Sequence, residues 1–115
     1  MPKQSVSDMP FSKVYPLLIA KAVRKGRKRE EVDEVTSWLT GHTRGAIAAA
    51  LESGITYGAF FSGAPAFSPR ADLITGKVCG VRVEDVGDPL MKRIRQLDKL
   101  VDELAQGRPL EKVIR

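Results

Sequence analysis

The chain has 115 residues, 43% apolar and 29% charged, which suits one globular domain and excludes a disordered or fibrous segment. A single cysteine excludes an intrachain disulfide, and one cysteine with one histidine excludes an all-Cys/His zinc site. The formal charge of +5 is concentrated at one end: residues 1–29 carry eight Lys or Arg against Asp8, a balance of +7, whereas the remainder carries eleven against thirteen, a balance of −2.

The start, MPKQSVSDMP, is polar, and the run Pro16 to Ala20 is too short for a signal h-region or a membrane span. A cytosolic protein is therefore expected, with residues 1–8 as a loose tail and 9–115 as a single helical domain. A first helix is predicted over VYPLLIAKAVRKG, with Tyr15, Leu18, Ile19, Ala22 and Val23 inward, Pro16 in the first turn and Gly26 as the stop. REEVDEVTSWLTG gives a second helix, its acids at the N-terminal half and Val32, Val35, Leu39 and Trp38 on its apolar side. Thr43 then caps RGAIAAALES, and Gly54 ends it.

Thr56 is placed to cap a short helix carrying Tyr57, Phe60 and Phe61, broken by Gly63-Ala64-Pro65. Alternation around Val81 and Val83 predicts a short extended segment near residues 78–83. Asp88-Pro89 is a strong helix start, followed by the stripe Leu90, Ile94, Leu97, Val101 and Leu104. Met91 and Leu100 broaden that stripe into a core-packing face, part of which is also suited to a C2 homodimer. Gly107 ends the helix, and Pro109 opens a short terminal one with Leu110, Val113 and Ile114.

The blocks MPFSKVYPLLIAKA, EEVDEVTSWLTG and VCGVRVEDVGDPLMKRIRQLDKLVDELAQG resemble the bacterial domain-of-unknown-function family 2200. The likeness runs from about Met9 to Arg115. It implies a small, mainly helical cytosolic protein without an assigned catalytic set. The chain departs from the family at Lys28, where a hydroxyl cap is usual and the basic run is here longer.

Four candidate sites stand out, each beside a structural alternative. Cys79, near Lys77 and Arg82, has the charge environment of a reactive thiol, although a free cysteine is more commonly a small buried hydrophobe. Glu84, Asp85 and Asp88 could serve a Mg²⁺ ion, but capping explains the Asp-Pro order and metal binding does not, so no metal or cofactor is expected. The run Lys21, Arg24, Lys25, Arg27, Lys28 and Arg29 is suited to nucleic-acid phosphates, though more readily to a solvated helix end. A helix-turn-helix match is poor, because Thr36 and His42 fall at apolar positions and the second helix offers only Arg44 and Glu52. Trp38, Tyr57, Phe60, Phe61 and Phe67 are enough aromatic surface for a planar-ligand pocket, or for a core.

The sequence thus predicts a mainly α domain of five or six helices, and more readily a non-enzymatic interaction or regulatory module than an enzyme. Nucleic-acid association through residues 21–29 is the second reading, and a Cys79-dependent enzyme the last.

Overall fold

Six helices and one two-stranded hairpin make up the computed structural model, which describes residues 6–78 and 80–114. The helices are α1 (Phe11–Arg24), α2 (Arg29–Thr40), α3 (Arg44–Ser53), α4 (Tyr57–Ser62), α5 (Pro89–Ala105) and α6 (Leu110–Val113). The strands β1 (Lys77–Val78) and β2 (Val81–Arg82) pair antiparallel, Lys77 opposite Arg82 and Val78 opposite Val81. The predicted extended segment is therefore a hairpin, and Val83 leaves it for a 3-10 turn over Val83–Asp85. The radius of gyration, 13.2 Å, is that of a compact single domain of this length.

The first helix starts earlier than its apolar spacing predicts. Phe11 donates its N–H to the Ile55 carbonyl at 2.8 Å, and Tyr57 donates to the Met9 carbonyl at 2.7 Å. This bridge pins the entries of α1 and α4 together, and Phe11 is wholly buried there. Pro16 consequently lies in the second turn, not the first. Its ring is on the exposed side, so the main loss is the bond that an N–H would have made to the Ser12 carbonyl. Val6–Asp8, expected as part of a loose tail, forms a 3-10 turn packed on α4.

Local chemistry sets the other boundaries as predicted. Thr43 Oγ1 accepts from the Ala46 N–H at 3.0 Å, Thr56 Oγ1 from Ala59 at 3.1 Å, and Asp88 Oδ2 from Met91 at 3.1 Å. At α2, Glu31 Oε1 accepts from the Lys28 N–H at 3.1 Å, which replaces a hydroxyl cap by its reciprocal half. Gly41 ends α2 with φ 81°. The following loop then closes on the helix end: Ala66 donates to the Thr40 carbonyl at 3.2 Å and Ser68 to the Leu39 carbonyl at 2.8 Å.

The amphipathic α5 is the centre of the molecule, packed against α1, α2, α4, α6 and the hairpin. Ile94, Leu97, Leu100, Val101 and Leu104 are buried there in the chain's own core, while Leu90 and Met91 at the start of the stripe are half-buried. Beside it lies an aromatic cluster. The Phe11 ring stacks on Phe60 at 4.3 Å and Tyr15 at 4.8 Å between centroids, and the Phe61 ring meets Tyr57 edge-on at 5.0 Å.

Candidate interaction surface

The predicted aromatic pocket is core. Tyr57, Phe60 and Phe61 are fully buried among Phe11 and Tyr15, while Trp38 is half-buried against the same core. Three of the five are thus closed to a ligand, and Phe67 is half-buried. Burial pushes the Tyr57 phenol well above its ordinary pKa, with the nearby Asp98 charge adding to the shift. His42 stacks on Phe60 at 4.2 Å, and its Nε2 lies 2.9 Å from the Phe60 carbonyl. Because a carbonyl only accepts, that nitrogen carries the proton.

The basic run is divided. Lys21 Nζ reaches Asp102 at 3.1 Å, Arg27 pairs with Glu31 at 2.6 Å, and Arg29 lies 3.8 Å from Asp33. Arg24, Lys25 and Lys28 form no ion pair among the described residues and are exposed. The six cations therefore do not form one open stripe: Lys21 ties α1 to α5, and Arg27 and Arg29 pair locally with acids of α2. The exposed side of α3 adds only Arg44 to the positive charge, next to Ala48, Ala49 and Glu52.

A different surface emerges on α1. At helical spacing Lys13, Pro16, Leu17, Ala20, Val23 and Arg24 fall on one outward face, opposite buried Phe11, Val14, Tyr15 and Ala22. Leu17 is 65% exposed and Val23 51%. Val23 was expected inward from its spacing, but the phase fixed by Phe11 and Tyr15 turns it to solvent. Lys13 and Arg24 stand within this apolar stripe without an ion-pair partner among the described residues.

Two of the three acids before α5, Glu84 and Asp88, are committed locally. Glu84 accepts from the Gly76 N–H at 3.0 Å, and backbone donors, its own included, hold its carboxyl below the usual range. Asp88 is the α5 cap. No group of three or more His, Cys, Asp or Glu converges among the described residues. Cys79 lies outside the described residues.

Phe67, the fifth aromatic of the expected pocket, instead lines a site whose other residues were not expected. An open cleft of about 280 Å³ lies between the segment 67–72 and the first turns of α5. Phe67, Pro69 and Pro89 form apolar wall, and Lys92, Arg93 and Gln96 supply the polar side. Arg93 Nη1 donates to the Phe61 carbonyl at 2.9 Å, and the guanidinium carbon lies 4.3 Å from the Phe67 ring centre. Gln96 is buried, its Nε2 donating to the Ala71 carbonyl at 3.2 Å. The sequence signal was the spacing Pro89, Arg93, Gln96 beside the apolar stripe, one i, i+4, i+7 edge of the helix.

No helix among the described residues is long and apolar enough to cross a membrane. The solved structure described as uncharacterized protein SP1917 is 50% identical over 98% of this chain and 93% of its own, with a TM-score of 0.93. No curated protein matches the chain. The family model described as an uncharacterized protein conserved in bacteria matches residues 5–115, as the blocks at α1, α2 and α5 implied, and the chain belongs to that family, DUF2200.

Proposed function

We propose that the chain is a non-enzymatic interaction module that docks through the outer face of α1 onto a protein partner presenting an acidic amphipathic helix. The observation that carries this reading is the exposure of Leu17 and Val23 on a stripe that also holds Lys13 and Arg24. Apolar anchors at helical spacing suit a helix partner, and the interleaved cations select acidic flanks. A second copy is a poor occupant, because antiparallel pairing of two α1 helices sets Lys13 against Arg24 and parallel pairing sets like against like. Nucleic acid is also disfavoured on this face, since phosphates leave Leu17 and Val23 without apolar contact.

The test is an amide NMR titration of the whole chain. The probes are a synthetic helix with leucines at i, i+3, i+4 and i+7 flanked by glutamates, a scrambled peptide of the same composition, and a short DNA duplex. Saturable shifts confined to α1 are expected from the amphipathic peptide, weakened about tenfold in a Leu17→Ala, Val23→Ala double variant. Equal shifts with the scrambled peptide or the duplex, or none with the amphipathic one, overturn the reading.

A further inference from the structure

We infer that the cleft between residues 67–72 and the start of α5 is a binding site for a small monocarboxylate with a flat apolar body. The site is separate from the α1 face and does not depend on it. Its volume, about 280 Å³, is near the lower end of ligand pockets. Two contacts fix the orientation of the Arg93 guanidinium, the Phe61 carbonyl below one nitrogen and the Phe67 ring against its face. Nε and Nη2 donate to no protein acceptor among the described residues, so a fork of donors remains on a group that is already immobilised. Such preorganisation lowers the ordering cost of binding. Lys92, on the same wall, supplies a second positive charge. Phe67, Pro69 and Pro89 offer the apolar walls that a bare inorganic anion does not use. Asp72, exposed on the rim, opposes a second negative charge on the ligand and so favours a monoanion over a phosphate dianion.

The experiment is an amide NMR titration of the full chain with benzoate, benzamide and inorganic phosphate. Benzoate is expected to give saturable shifts at residues 68–72 and 92–96, with benzamide and phosphate each weaker by about tenfold or more. Arg93→Lys retains charge but loses the fork, and should weaken benzoate by about tenfold. Lys92→Ala, which leaves the Phe61 and Phe67 contacts intact, should weaken it about threefold and reduce its salt dependence. If Arg93→Lys fails to fold, Lys92→Ala decides alone. Absence of saturation by benzoate overturns the inference, as does equal binding of benzamide or phosphate, or benzoate binding unchanged in Lys92→Ala.

Discussion

The Tyr15 hydroxyl lies 2.7 Å from Asp33 Oδ1 and 3.2 Å from Thr36 Oγ1, joining α1 to α2 beneath the surface. A carboxylate only accepts, so the single phenol proton goes to Asp33, while Thr36 donates its own proton to the Val32 carbonyl at 2.8 Å. Burial, above all, pushes the phenol pKa far up, which keeps it protonated as that bond requires. Tyr15→Phe should preserve the ring stacking and lose about 1–2 kcal/mol of stability by urea unfolding. An unchanged midpoint would show the bond to be energetically idle.

Gly41 and Gly26 both have positive φ, 81° and 88°, but only one is crowded. A Cβ at Gly41 would lie 2.7 Å from the Ala66 nitrogen, whereas nothing lies within 4 Å of one at Gly26. Gly26→Ala should cost about 1 kcal/mol from backbone strain alone. Gly41→Ala adds the clash and should cost about 2–4 kcal/mol. Equal costs in thermal unfolding would mean that the 66–68 loop yields freely.

Asp88→Ala removes the acceptor for the Met91 N–H while leaving Pro89 at the first helical position. A loss of about 1 kcal/mol is expected, and Asp88→Ser should restore most of it. Failure of the serine to rescue would assign the loss to charge, not to capping.

Burial raises the Asp98 carboxyl above its ordinary pKa, opposed by Arg95 at 3.1 Å and by the charge of Lys21. The folded state then holds this proton more tightly than the unfolded one. Its contribution to stability falls as pH rises from the unfolded value through the raised folded value, and recovers as pH is lowered. Asp98→Asn lacks that dependence. The stability of the natural chain relative to Asp98→Asn should therefore increase on acidification across this interval, and a flat difference would refute the shift. Glu84 has the opposite sign: its lowered pKa contributes stability above the unfolded value, lost as pH falls through the folded one. Glu84→Gln should consequently differ most from the natural chain at neutral pH.

Much of the helical plan was legible because its signals are local. Thr43, Thr56 and Asp88 cap from within three residues, and the α5 stripe has a single period over four turns. The start of α1 was not legible, because it depends on Phe11 meeting Ile55 across the fold. That unseen anchor also fixed the phase that exposes Val23. The division of the basic run depends partly on a carboxylate, Asp102, far along the chain. The cleft was hidden for the same reason: Phe67 was legible as a pocket aromatic, but its pairing with Arg93 exists only once the loop folds against α5.

The bonds from Ala66 and Ser68 to the end of α2 have a consequence for motion. A segment rich in alanine, serine and proline reads as a mobile connector, yet here its amides are locked to helix carbonyls. In deuterium exchange, Ala66 and Ser68 should open with the unfolding of α2, not as a fraying loop. The wall of the cleft is then a fixed jaw, and a ligand would meet a shape already present before it arrives.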